Sequence, residues 1–200
     1  MKKINHKTNY MKIVKLSGIF ILIMSLTACY QNKSNDSQTS VLDGWKSIVD
    51  NNYSINYPSN WELDESGQMG TRFILFSPLS SDQDQFRENI NLLIQDLSGH
   101  NLDLEKYVEI SIDQINRMIT DGNILKNKRK LNKELNYHQL IYTGKQGEYK
   151  LKFEQYLWVI KNKAYVLTLT CEDEQFSNYQ KIGEEIMNSF KLKNTAQNTQ

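Results

Sequence analysis

The alternation of apolar and polar residues in the second half of the chain most restricts its possible folds. Residues 137–143, 149–160 and 164–171 are apolar and β-rich, and 149–160 alternates as a half-buried strand does. Only short turns separate them, at Gly144-Lys145-Gln146-Gly147 and at Lys161-Asn162-Lys163. Strands joined by so few residues pair antiparallel, because a parallel connection needs about a dozen residues or more. The sequence therefore predicts consecutive antiparallel hairpins here.

Further segments have strand character, and they are residues 45–49, 53–57, 61–63, 72–76, 89–97 and 124–131. Two stretches have helical periodicity instead. In the first, Leu104, Ile115 and Ile119 share one apolar face, with Asp103 predicted as the N-cap and Gly122 as the C-terminal cap.

The second helix is predicted over residues 173–190. Because two amphipathic helices must bury their apolar faces on the sheet, the predicted fold class is α+β. The expected architecture is an α-β-α sandwich, with a central, mainly antiparallel sheet of about six to eight strands and two main helices.

The N-terminal stretch predicts export. Lys12 and Lys15 precede an apolar run, residues 19–26, that is too short to cross a bilayer comfortably. The run ends in Leu26-Thr27-Ala28-Cys29, which resembles the lipobox of bacterial lipoproteins, where the cysteine is acylated and becomes the mature N-terminus. An ordinary cleaved signal, or an anchor helix that contains a cysteine, is the alternative. Translation from Met1 and from Met11 both fit.

The chain is accordingly divided into a signal peptide (1–28), a flexible tether that starts at lipidated Cys29 (29–40), one domain (41–192) and a disordered tail (193–200). The tether has almost no apolar residue, so it cannot offset the entropy cost of ordering. The expected location is the bacterial cell envelope, with the protein held to a membrane by acyl chains such as palmitate and facing away from the cytoplasm.

Charge excludes nucleic acid as an expected partner. Five lysines and no acid lie before Cys29, which leaves 19 basic and 23 acidic residues, a net charge of −4, in the mature chain. Nucleic-acid binding depends instead on a basic surface that neutralises phosphates. Cys171 is the only cysteine after Cys29, so no intramolecular disulfide is expected, and its place beside Leu169 predicts a small buried hydrophobe.

Two stretches resemble PsbP-like domains. Residues 53–61, YSINYPSNW, are similar to the F-x-I-x-Y-P-x-x-W entry strand of that superfamily. Residues 164–192 are similar to its closing strand and helix, with the ending Ile186-Met187-Asn188-Ser189-Phe190. The resemblance spans about residues 44–192 and implies an α-β-α sandwich used for binding. PsbP supports the oxygen-evolving complex of photosystem II and is linked to manganese or calcium, but no family metal ligand matches a position in this chain.

Catalytic, cofactor and metal motifs are absent from the sequence. His100 and His138 are far apart, and the acidic loop with Asp82, Asp84 and Glu88 lacks the glycine and terminal glutamate of a calcium loop. No nucleophile elbow, phosphate loop or dinucleotide fingerprint occurs. No enzymatic activity and no cofactor are therefore expected.

Two features are candidates for binding. Tyr156 and Trp158 share the strand face opposite Leu157, and they form a binding patch if that face is exposed. The basic run Lys126-Asn127-Lys128-Arg129-Lys130 is interpreted first as a solvated face or a protected sheet edge, with a site for an acidic partner as the alternative.

The leading hypothesis is a non-enzymatic, membrane-anchored lipoprotein that acts as a binding or accessory module for an envelope protein. The second hypothesis is a lipoprotein that captures a small ligand or a metal. A hydrolase of envelope substrates is the third, and it rests on location alone.

Overall fold

The computed structural model describes residues 44–131 and 135–193, which contain two α-helices, one short 3-10 helix (Gln68–Gly70) and ten strands. The α-helices are α1 (Leu104–Met118) and α2 (Phe176–Asn188). The strands are β1 (Trp45–Val49), β2 (Tyr53–Pro58), β3 (Glu62–Asp64), β4 (Thr71–Phe76), β5 (Asn89–Asp96), β6 (Thr120–Lys130), β7 (Tyr137–Gln146), β8 (Tyr149–Ile160), β9 (Lys163–Glu172) and β10 (Lys191–Leu192). The predicted signal peptide, the tether and all of the tail except Lys193 lie outside the described residues.

Seven strands form the main sheet, in the order β3-β4-β5-β9-β8-β7-β6, and all neighbours in it pair antiparallel. The predicted hairpins and the α+β class are therefore confirmed. The turn between β7 and β8 is only Gly147 and Glu148, because β7 continues through the predicted turn glycine Gly144. Lys161 and Asn162 form the next turn, both with positive φ.

A second, smaller sheet was not predicted. It has the order β1-β2-β10, so the first hairpin pairs with the two-residue strand at the end of the domain. β10 is too short to show a periodic pattern in the sequence. Its pairing with β2 depends on the position of the end of α2, which lies just before it in the chain.

The main sheet separates two apolar cores. On one face, α1 packs against side chains such as Leu140, Phe153 and Leu157. On the other face, α2 and the small sheet cover a core that includes Ile55, Phe73 and Leu167. This layering follows from the period of two along each strand, since neighbouring residues of β8 point to opposite faces.

The helix α1 begins as predicted and ends differently. The Asp103 carboxylate accepts a hydrogen bond from the backbone N–H of Lys106 at 2.8 Å, which makes it the N-cap. The predicted cap at Gly122 is wrong, because the helix ends at Met118 and Gly122 already lies in β6. Asp121 takes the positive φ, and a Cβ on Gly122 would lie 3.0 Å from the Ile115 carbonyl oxygen.

The helix α2 spans thirteen residues, fewer than predicted, and its end is fastened to β2. The Ser189 hydroxyl accepts from the Asn56 N–H at 2.9 Å and donates to the Ile186 carbonyl at 2.6 Å. The next residue, Phe190, stacks on Tyr53 at 5.7 Å between ring centroids. None of the described helices has the length and apolarity needed to cross a membrane.

Candidate binding site

Tyr156 and Trp158 do not form an exposed patch. Their exposed fractions are 4% and 6%, so the condition on which the patch was predicted is not met. The Trp158 ring lies 5.1 Å from Phe190 and 5.4 Å from Tyr137, measured between centroids. The segment after α2 covers this face of β8. Because β8 is apolar on both faces, its sequence does not show which other segments of the chain cover each face.

Cys171 is buried, as predicted. Burial raises the pKa of its thiol, and the nearby carboxylates of Glu88 and Glu154 raise it further. A thiol held in its neutral form has no nucleophilic thiolate to offer.

The predicted weak metal candidates are dispersed. Asp84 organises its own loop, accepting from the Ser80 hydroxyl at 2.7 Å and from the Phe86 N–H at 3.1 Å. Glu88 turns inward and is 2% exposed, while His138 bonds to Asn127 on the other side of the sheet. No group of three or more metal-ligating side chains occurs among residues 44–131 and 135–193.

A buried carboxylate that the sequence analysis did not single out lies on the α2 side of β8. Glu154 is fully buried, and its Oε1 accepts a hydrogen bond from the Gln139 amide. Its Oε2 has no hydrogen-bond partner among the described residues. Burial raises the pKa of Glu154, and Lys126 nearby lowers it in part. Alternation with Tyr156 and Trp158 placed Glu154 on this face, but pairing with Gln139 depends on the register of β7.

We expect Glu154→Gln to stabilise the protein at neutral pH. Because the folded-state pKa is raised above the unfolded value, the stability contributed by Glu154 is present below the unfolded pKa, about 4.3, and is lost as the pH rises through the folded pKa. Urea unfolding at about pH 4 and about pH 8 should show a gain over the wild type only at the higher pH. Glu148→Gln, in the exposed β7–β8 turn, is the control and should show no such difference. A gain that is equal at both pH values would contradict the assignment.

A polar hollow lies on the α1 side of the sheet. Asn91, Thr168 and Gln155 stand side by side on β5, β9 and β8, and the Gln155 amide donates to the Thr168 hydroxyl at 3.2 Å. The cavity volume is about 30 Å³. A buried water needs about 10–15 Å³, so the hollow has room for a few waters and is too small for a metabolite.

A candidate recognition surface lies on β6, one of the two outer strands of the main sheet. β6 ends the strand order and pairs only with β7, and no described strand pairs with its outer edge. Lys126, Lys128 and Lys130 are opposite Ile141, Gln139 and Tyr137 of β7, so the three lysines share the face that carries α2. We call Leu125, Lys126, Lys128, Lys130 and Leu131 the β6 surface.

The helix α2 leaves this surface uncovered. It packs over β9, which is three strand spacings from β6, or roughly 14 Å at about 4.8 Å per strand. Leu125 and Leu131 are 50% and 82% exposed, respectively. A register shift between Ile124 and Lys126 marks a bulge at Leu125. On the opposite face Arg129 pairs with Glu105 of α1, which holds the strand in place.

Comparisons with solved structures identify the fold. Cyanobacterial PsbP from Synechocystis sp. PCC 6803 superposes with a TM-score of 0.57 over 79% of this chain and 98% of that protein, at 10% identity. The chain has a PsbP-like fold. The residues that carry the predicted resemblance have structural roles in this fold. Trp61 is buried after the turn at Pro58, and Ser189 and Phe190 hold the end of α2 against β2.

Two other proteins share this PsbP-like fold. LpqN from Mycobacterium tuberculosis, involved in cell envelope biogenesis, matches with a TM-score of 0.54 at 12% identity, over 74% of this chain and 91% of that one. A Pseudomonas aeruginosa protein of unknown function matches at 0.52 and 13% identity, over 68% and 88% of the two chains. No family model and no curated protein sequence matches the chain. At these identities the likeness establishes the fold.

Proposed function

We propose that this protein is a non-enzymatic, lipid-anchored accessory module of the bacterial cell envelope that binds an acidic, extended segment of an envelope protein along the β6 surface. The lipobox ending at Cys29 supports the anchor, and the PsbP-like fold, which an envelope-biogenesis protein shares, supports the setting. The open edge of β6 with its row of three lysines is the observation that carries the binding proposal.

The spacing of the lysines suits an added strand. Lys126, Lys128 and Lys130 recur every second residue, which is the repeat of side chains on one face of an extended peptide. A partner strand beside β6 places its own alternate side chains about 4.5–5.5 Å away, so acidic residues at alternate positions oppose the lysines. Main-chain hydrogen bonds supply affinity, while the charges supply selectivity.

Local charge supports an acidic partner. The mature chain carries a net charge of −4, so the basic strip has the opposite sign to the protein as a whole. Leu125 and Leu131 add exposed apolar contacts at the beginning and at the end of the strip. Exposed apolar side chains beside an open strand edge are a liability unless something covers them.

The buried chemistry supports a role without catalysis. Cys171, Glu88 and Glu154 are at most 2% exposed, so a substrate has no access to them in this fold. Glu88 and Glu154 both have a pKa raised by burial, and their surroundings are the apolar core.

The test is a pull-down of the tagged full-length protein from native membranes, with mass spectrometry of the bait and of co-purifying proteins. Lys128→Glu combined with Lys130→Glu should weaken capture of a stoichiometric partner by about tenfold, mainly by slowing association. Lys46→Glu with Lys181→Glu is the matched control, because it makes the same charge change at exposed positions of β1 and α2.

Each part of the proposal has its own contrary result. Equal loss of the partner in both variants, or loss in the control alone, would remove the β6 surface from the proposal. Acylated bait with no protein partner would remove the accessory role. An unmodified Cys29, or membrane retention unchanged by Cys29→Ser, would remove the anchor.

A further inference from the structure

A second hollow, the lysine hollow, lies at one end of the main sheet. It forms where the β8–β9 turn, the β1–β2 turn and the end of β10 meet. Lys161, Lys163 and Lys193 stand in its wall, and Tyr165 and Leu192 contribute the apolar part of its lining. The cavity volume is about 100 Å³, against about 30 Å³ for the polar hollow under α1.

The lining of the lysine hollow is positively charged. Three lysines contribute to it, and none of its described lining residues is an acid. Two acids lie near the hollow. The Asp50 carboxylate accepts from the Asn52 N–H at 2.8 Å, and the Asp96 carboxylate accepts from the Ser98 N–H at 2.8 Å. Asp96 is also paired with Lys163: hydrogen bonds from Ser98 lower the pKa of the Asp96 carboxyl, and the charge of Lys163 lowers it further. A cleft lined by charges of one sign concentrates counter-ions.

The backbone places each lysine on a fixed element. Lys163 is the first residue of β9 and pairs with Asp96 and Ile160. The Lys193 N–H donates to the Asn52 carbonyl at 2.7 Å, and its ammonium donates to the Asp50 carbonyl at 2.7 Å. The hollow therefore joins both ends of the domain without depending on a long loop.

The residue at position 161 is not the one that the turn prefers. Lys161 has a φ of 48° at the first position of a two-residue hairpin turn, where asparagine, aspartate or glycine is favoured. Turn geometry thus does not account for a lysine at this position of the hollow's wall.

We propose that the lysine hollow binds a phosphate group, either as inorganic phosphate, as a small phosphate monoester, or as the phosphate of a lipid headgroup. Three ammonium groups suit a tetrahedral anion with several acceptor oxygens, since lysine acts as a compact point charge with three donors. None of the described residues that line the hollow is an arginine, whose planar fork favours a carboxylate. The site does not rest on the proposed function, because β6 contributes nothing to it.

Titration of the full-length protein with inorganic phosphate and with glycerol 3-phosphate, by calorimetry at low ionic strength, tests the free-phosphate arm. Flotation with phosphatidylglycerol vesicles, compared with phosphatidylcholine vesicles, tests the lipid arm, with Cys29→Ser protein used so that the anchor does not bind the vesicles itself. Lys161→Asn combined with Lys163→Gln is the test variant, and the asparagine also satisfies the turn. Lys46→Gln with Lys181→Gln removes the same charge elsewhere.

We expect the wild type to bind in at least one arm. The affinity in that arm should fall tenfold or more in the test variant and stay within twofold of the wild type in the control. An effect in the first arm alone identifies a soluble phosphate, and an effect in the vesicle arm alone identifies a lipid headgroup. No binding in either arm, or an equal decrease in both variants, would overturn the site. Urea unfolding is the stability control. If Lys161→Asn leaves the urea midpoint unchanged or raises it, unfolding does not explain a loss of binding.

Discussion

Replacing Trp158 by alanine is expected to lower the free energy of unfolding by about 3–5 kcal/mol. The indole is 6% exposed and is enclosed by Phe190, Tyr137 and Tyr156, with ring centroids at 5.1, 5.4 and 6.2 Å. Its removal leaves a cavity where β8 meets the end of α2, and the fastened Ser189 limits how far the helix can move to fill it. Urea unfolding followed by circular dichroism measures the loss.

Leu79→Ala is the control, because Leu79 is 49% exposed and its truncation should change stability by about 0.5 kcal/mol or less. Trp158→Phe should fall between the two, since most of the buried ring is retained. The contrary result is a Trp158→Ala protein that keeps nearly wild-type stability but no longer captures its partner. That result would indicate that Trp158 belongs to an exposed binding patch, which the sequence allowed.

Gly183→Leu is expected to lower the free energy of unfolding by about 3 kcal/mol, which is at the upper end of the range for overpacked cores. Gly183 lies in the middle of α2, where glycine is unfavourable by about 1 kcal/mol relative to alanine. The reason for glycine is close approach: a Cβ there would lie 2.6 Å from Leu169 Cδ2 and 3.3 Å from Cδ1. Any side chain therefore wedges α2 away from β9, and the urea midpoint should fall accordingly.

A double-mutant cycle tests this packing directly. Gly183→Ala should destabilise the wild type, because the added methyl group meets the fully buried Leu169. In a Leu169→Ala background the same change should become stabilising, since the space is open and only the helix propensity of alanine remains, about 1 kcal/mol. If Gly183→Ala stabilises both backgrounds equally, the helix is not held close to the sheet.

Local patterns were enough to predict most of the fold. The hairpins from β7 to β9 follow from short turns and alternation, which act between residues close in sequence. The start of α1 followed from Asp103, whose side chain meets a backbone group three residues away. Burial of Cys171 followed from its place beside Leu169 on β9.

The features that local patterns missed depend on distant partners. Gly122 is a glycine because the carbonyl oxygens of Ile115 and Ile119 approach it, and not because the helix ends there. Trp158 is covered by a segment about thirty residues further on, and nothing in β8 itself indicates that cover. The lysine hollow combines Lys161, Lys163 and Lys193, which come together only when both hairpin turns and β10 are in place. In contrast, the basic run on β6 was visible in sequence, and a sheet edge was one of the two positions first expected for it.

The pairing of β10 with β2 also bears on when the domain can fold. β2 ends at Pro58 and is made early, whereas its partner at Lys191 and Leu192 is made last. The small sheet cannot be completed until Lys191 and Leu192 have been synthesised. Contacts this distant in sequence close slowly. A chain that has been synthesised only as far as α2 therefore lacks the third strand of the small sheet.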